Sequence, residues 1–273
     1  MPERLAQGIH GQLDLPTCSV PIVEIARKLD IGEVRCERFD GFEGMLLTDR
    51  VRSRGAILAN TRHGSRRARF TVAHELGHFL LERHELSGET GFLCQAVDLR
   101  ETRQTRHHQR QESEANRFAA DLLAPARYVA DLLSHDPDLR EAQRIRDALD
   151  ISLEVSVRRL VEVRDEALAA VWSLHGQVRY VVRSFGFPFV TLQKGDPVPK
   201  TTAAHRAGRN GSTGFTEMVE THSMAWTGQS ELDMWEQTRV GQNGHAVTLL
   251  QVELTEEGSD NGHGTDPNMP GFR

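Results

Sequence analysis

Residues 74–78 read His-Glu-Leu-Gly-His, an H-E-x-x-H pattern set in the run Arg69-Phe-Thr-Val-Ala-His-Glu-Leu-Gly-His-Phe-Leu-Leu81. On a helix, positions i and i+4 lie one above the other. His74 and His78 can therefore reach one Zn²⁺, with Glu75 beside the open metal position, where it can take a proton from bound water. The flanks Phe70, Val72, Ala73, Leu76, Phe79, Leu80 and Leu81 are apolar on nearly every side, which predicts a buried helix over about Ser65–Glu82. Two imidazoles and a carboxylate on a buried helix need to be paired or metal-bound. The alternative is a surface helix with two satisfied histidines, and the apolar flanks argue against it.

A catalytic zinc site needs a third protein ligand and a fourth position left for water. His84 follows His74 by ten residues, the spacing of the extended pattern in which a Gly breaks the helix and turns the chain back to the metal. Here Leu81 holds the Gly position. A helix that continued would carry His84 roughly 15 Å along the axis from His74, out of reach. The better candidate lies on a second helix, Glu112-Ser-Glu-Ala-Asn-Arg-Phe-Ala-Ala-Asp-Leu-Leu123. Glu112, Asn116, Ala119 and Leu123 share one face, and small alanines allow two helices to pack closely. Glu112 is thus the expected metal ligand, and Asn116, one turn on, the residue that supports a ligand by a hydrogen bond. Glu114 points about 200° away from Glu112 and is the fallback.

The rest of the chain reads as an α+β protein. Residues 1–16 carry no periodic signal and are expected to be a flexible N-terminus. A metallopeptidase-like domain is expected over 17–130: a helix from Pro21, then three short strands near 34–39, 45–48 and 56–59. Gly41, Gly44 and Gly55 punctuate these strands and suggest an antiparallel meander. Residues 85–110 read as a long polar loop. Over 131–166 the series Ile145, Leu149, Ile151, Val155, Leu160 breaks near Asp150–Ser152, a helix-turn-helix-like pattern. From 167 to 254 the period changes to two and predicts a β-rich C-terminal domain, with 194–213 as a flexible loop. Residues 255–273 have the composition of a disordered tail.

Composition narrows the function. A net charge of −6 argues against a dominant nucleic-acid surface. Three widely spaced cysteines, Cys18, Cys36 and Cys94, form no disulfide framework and suit a reducing compartment. The first residues lack an apolar core, and no run approaches 18 apolar residues, so a cytoplasmic protein is expected.

The segments Gly41-Phe-Glu-Gly-Met-Leu46, Arg69 to Leu81, and Glu112 to Pro125 resemble the ImmA/IrrE family of metallopeptidases, whose pattern is H-E-x-x-H followed by E-x-x-A-N-x-F-A-x-x-L-L-x-P. The likeness is specific over roughly 20–165 and weaker beyond. It implies a zincin-like domain in which His74, His78 and Glu112 bind Zn²⁺ and Glu75 is the general base. It also implies an endopeptidase that regulates by cleaving or destabilising helix-turn-helix repressors, a link to transcription and stress response. Ala124, where Met commonly precedes the Pro, is a mild departure.

Two other readings share these residues. One is a zinc-containing module that binds a repressor or toxin without cleaving it. The other is a DNA-binding regulator using Arg140, Arg144, Arg146, Arg158, Arg159 and Arg164, although Glu141, Asp147, Asp150, Glu154 and Glu162 offset that charge. A second donor would help to hold the oxyanion, and His84, His107, His108 and Tyr128 are candidates. Cys94 as an inhibitory thiolate, and the cluster Arg62, His63, Arg66, Arg67, Arg69 as more than a solvated face, are lesser possibilities.

Overall fold

The computed structural model describes residues 1–13, 15, 19–85, 91–94 and 107–253. They fall into two units, one ending at Arg164 and the other beginning at Asp165. The expectations for residues 255–273, for Cys18 and for the side chains of Cys94 and His107 lie outside the described residues.

The first unit holds a four-stranded sheet of β1 (Ile31–Glu37), β2 (Gly44–Thr48), β3 (Gly55–Asn60) and β4 (Gly91–Cys94), in the order β1-β3-β2-β4. It is mixed, which corrects the expected antiparallel meander: β3 runs antiparallel to β2 but parallel to β1. Polarity explains the order. The apolar run Gly-Ala-Ile-Leu-Ala of β3 takes the centre, with Ile57 and Ala59 buried. Strand β1 carries Glu33, Arg35 and Glu37 and lies at an edge, where charged side chains keep their water. Strand β4, from the stretch expected to be loop, pairs along β2 from Gly44↔Cys94 to Leu47↔Gly91.

Around the sheet stand α1 (Pro2–Leu13), α2 (Ile22–Lys28), α3 (Ser65–Leu80), α4 (His107–Leu123), α5 (Ala126–Ala130), α6 (Leu139–Leu149) and α7 (Leu153–Val163). Helix α1 corrects the expected flexible N-terminus. Its buried side, Ala6, Ile9 and His10, packs on α4; His10 Nε2 lies 2.8 Å from the Leu122 carbonyl, and Glu3 pairs with Arg117. Gly8 and Gly11 weaken the helical signal of this segment, so only its packing makes it legible.

Helices α6 and α7 break where the spacing predicts. Asp138 and Glu141 form a capping box, Asp150 ends α6 in the left-handed region, and Ser152 caps α7. Their arginines are engaged by acids: Arg140 by Asp138, Arg144 by Glu141, Arg146 by Asp147, Arg158 by Glu154, Arg159 by Asp121 and Glu162, and Arg164 by Glu141. In the basic cluster at the start of α3, Arg62 and His63 stay on the solvated face, while Arg66, Arg67 and Arg69 are partly buried. Arg66 and Arg69 reach Asp150, Arg67 and His63 reach Glu43, and Arg62 reaches Asp40.

The second unit is an antiparallel sheet with strands β5 (Ala167–Leu174), β6 (Gln177–Arg183), β7 (Gly214–Phe215), β8 (Val219–His222), β9 (Asp233–Val240) and β10 (His245–Val252). Its order is β6-β5-β10-β9-β7, with β8 also on β9. Two helices, α8 (Ala203–Arg209) and α9 (Met224–Thr227), accompany it. Its core centres on Trp226, Phe187, Met234, Val171 and Leu250. Helix α8 lies within the expected loop 194–213. Buried Glu236 accepts from the Ala203 and Ala204 N–H groups and from Trp226 Nε1, tying that helix to β9. Among the described residues, no helix is long and apolar enough to cross a membrane.

Candidate metal centre

Helices α3 and α4 approach closely because Gly77 has no side chain to hold them apart. Gly77 faces Ala115 and Phe118, and a Cβ on Gly77 would already press on both. This contact sets the face of α4 that carries Glu112 against the face of α3 that carries His74 and His78. His74, Glu75 and His78 are fully buried, and Glu112 and Asn116 nearly so.

Nε2 of His74 lies 3.1 Å from Glu112 Oε2 and 3.1 Å from His78 Nε2, and the latter lies 3.3 Å from Glu112 Oε1. Among the described residues these three side chains form a group able to hold a metal ion. The fit can be tested on the distances. Donors at about 2.0–2.1 Å around a tetrahedral Zn²⁺ stand about 3.3 Å from one another, close to what is seen. Behind the centre, His74 Nδ1 lies 3.0 Å from Asn116 Oδ1. An amide oxygen only accepts, so His74 carries its proton on Nδ1 and keeps Nε2 for a metal.

Burial disfavours a charged ring at His78 and pushes it down to about 3, so the ring is neutral, as a ligand must be. Burial acts on His74 in the same sense, but Glu112, Glu75 and Asn116 outweigh it and hold that ring above the ordinary histidine value. Burial alone would lift Glu112, yet hydrogen bonds from His74 and His78 and their charge hold its carboxyl well below the usual range. Acceptors converging in a buried place favour a cation among them.

The expectation for His84 is overturned in its geometry. Helix α3 stops at Leu80, and Leu81 leaves the helical region at φ −85, ψ 85. No glycine is needed because Arg52, from the turn between β2 and β3, reaches the helix end. Its guanidinium donates to the carbonyls of Phe79 and Leu81, 3.5 and 2.7 Å away, and to that of His84. The chain turns back, His84 is buried, and its Nδ1 lies 2.9 Å from Nδ1 of His78, the nitrogen turned away from Glu112.

Glu114 stays off the centre, as its position on α4 predicts. It meets Arg83, Arg110 and Nε2 of His84. Phe92 of β4 stacks on the His78 ring with centroids 4.5 Å apart. His108, half exposed and one turn before Glu112, lies 3.7 Å from Glu112 Oε1. The Tyr128 hydroxyl donates to the Leu15 carbonyl and accepts from Arg127, a packing role. Sequence reasoning missed Arg52 and the His84–Glu114 contact, because each joins residues 29 or 30 positions apart and leaves no local signal.

Residues 33–161 match a peptidase family model, M78, described as an IrrE N-terminal-like domain. The match spans the sheet, α3, α4 and the helices to α7, and excludes the second unit. No curated protein matches the chain.

Proposed function

Residues 33–161 belong to the ImmA/IrrE family of metallopeptidases, and from that premise we propose that the protein is a zinc-dependent endopeptidase of regulatory type. The observation that carries this reading is the convergence of His74 Nε2, His78 Nε2 and Glu112 in one buried group, with Glu75 beside it on the same helix. In this reading His74, His78 and Glu112 hold Zn²⁺, Asn116 orients His74, and Glu75 is the general base. The substrate class implied by the resemblance is a helix-turn-helix repressor.

When bound, zinc would supply Lewis acidity, lowering the pKa of a water toward about 7 and polarising a carbonyl. The side chains do the rest. Glu75 takes the proton of the attacking water and returns it to the leaving amine, a role worth about 10²–10⁴-fold. The neutral His78 ring and the ionised Glu112 keep lone pairs directed at the centre. Among the described candidates for an oxyanion donor, His108 stands beside the centre, 3.7 Å from Glu112 Oε1.

The test joins metal analysis with cleavage. Purified protein is expected to carry about one Zn²⁺ per chain and to fragment its helix-turn-helix repressor. Glu75→Gln is expected to keep the metal and leave the repressor whole. Metal content near zero in both the native protein and His74→Ala would overturn the site. A metal-loaded protein that holds the repressor intact would favour the non-proteolytic module.

A further inference from the structure

The geometry points to His84 as a positioning residue that, with Glu114, fixes the tautomer and orientation of His78 so that its Nε2 lone pair faces the metal. The inference rests on the metal-site reading above.

It follows from counting protons. Glu114 is ion-paired with Arg83 and Arg110 at 2.8 and 3.1 Å, and a carboxylate only accepts hydrogen bonds. Its Oε2 is 3.1 Å from His84 Nε2, so that nitrogen carries the proton. A neutral imidazole has one N–H, which leaves Nδ1 of His84 bare. Nδ1 of His84 stands 2.9 Å from Nδ1 of His78, so His78 must donate there. Nε2 of His78 is then bare, and it is this atom that faces His74 and Glu112. Each proton is placed by the one before it.

The backbone holds the relay in register. The His84 N–H donates to the Leu81 carbonyl at 2.8 Å, and Arg52 donates to the His84 carbonyl. The two rings meet edge on, with centroids 5.0 Å apart. His84 is not itself a ligand, because it meets the nitrogen of His78 that points away from the centre. Asn116 performs the same task for His74, so both ligand imidazoles are oriented from behind. Such outer partners typically carry 10–100-fold of metal affinity.

The test uses the full chain and Co²⁺ as probe. In the metal-free protein, ¹⁵N NMR is expected to find the His78 proton on Nδ1 and the His84 proton on Nε2; the opposite tautomers overturn the relay. In the Co²⁺ form, two exchangeable, paramagnetically shifted imidazole N–H signals are expected, from His74 and His78. His84→Ala is expected to weaken Co²⁺ binding about 10–100-fold and to lose one signal to solvent exchange. His84→Asn, which keeps an acceptor near Nδ1, is expected to recover much of both. Unchanged affinity with both signals intact in His84→Ala overturns the proposal. If His84→Ala does not fold by circular dichroism, Glu114→Gln decides: mixed His84 tautomers and weaker Co²⁺ binding support the relay, and an unchanged tautomer with unchanged affinity overturns it. Failure of the native protein to take up Co²⁺ would sink the metal reading, while the metal-free tautomers still judge the relay.

Discussion

A Cβ built on Gly44 would stand 2.4 Å from Oε1 of Glu75, and 2.4 Å from Cγ2 of Thr71. The carboxylate proposed as general base is gauged against backbone that has no side chain. That backbone has little room to retreat, since Gly44 is paired with Ala59 on one side and Cys94 on the other. Glu75 would have to give way instead. Gly44→Ala is expected to keep its metal and to lose on the order of 10²-fold in kcat/KM, the cost of a displacement near 1 Å in a reacting group. Hydrolysis of a quenched fluorescent peptide library, with metal content measured alongside, checks this. Undiminished turnover would show that Glu75 is not held by this contact.

The close approach of α3 and α4 is a second place where a methyl group is too much. A Cβ on Gly77 would come 2.9 Å from Cδ1 of Phe118 and 3.3 Å from Cα of Ala115, and both neighbours are fully buried. Alanine gains up to about 1 kcal/mol in helix propensity over glycine, but overpacking a core costs about 1–3 kcal/mol. Gly77→Ala is therefore expected to lose about 1 kcal/mol net and to weaken metal binding, because Glu112 rides on the helix that must shift. Denaturant unfolding and a metal competition titration measure the two effects.

The parts of the site legible in the sequence are those written in helical spacing. His74 and His78 at i and i+4, and Glu112 with Asn116 and Ala119 on one face, needed only the geometry of single helices. What escaped depends on contacts across the chain. The end of α3 is set by Arg52, 27 residues before Phe79, whose carbonyl it caps, and no local signal at Leu81 announces it. That one missed cap put His84 on a continuing helix and out of reach. The central place of β3 follows from its competition with the charged β1 for the middle of the sheet. Helix α1 exists because α4 offers Ala6 and Ile9 a surface.

Arg52 provides the third prediction. It occupies the left-handed region at φ 51 and spends its guanidinium on carbonyls at the end of α3 and in the His84 turn. Hydrogen bonds to a charged group contribute about 1.5–3 kcal/mol each, and partial exposure reduces that here. Arg52→Ala is expected to destabilise the protein by about 1–3 kcal/mol and to speed hydrogen exchange at the His84 amide, whose bond to the Leu81 carbonyl closes the turn. Arg50→Ala, two residues away and exposed, is the control expected to change neither. Equal exchange in the two variants would dissociate Arg52 from the turn.

Acid should destabilise the metal-free protein, and the sign follows from the individual groups. Burial holds His78 down to about 3 and His84 down to about 4, against an ordinary value of 6.5. Between those limits the unfolded chain binds two protons at these rings that the folded chain refuses. His74, which is raised, acts in the opposite sense but in another window: its folded ring holds an extra proton only above pH 6.5, and below that both states are protonated. Glu112, held below the ordinary 4.5, adds to the loss at lower pH, since the unfolded carboxyl takes a proton first. Stability therefore falls wherever the unfolded state binds more protons: from near pH 6.5 downward, more steeply below about 4.5. Denaturant unfolding of chelator-treated protein at pH 7, 6, 5 and 4 checks the slope. His84→Asn, with one fewer buried ring to protonate on unfolding, is expected to show a shallower decline between pH 6.5 and 4. A stability that stays flat or rises on acidification across that window would mean that the His78 and His84 rings do not govern the proton balance of the centre.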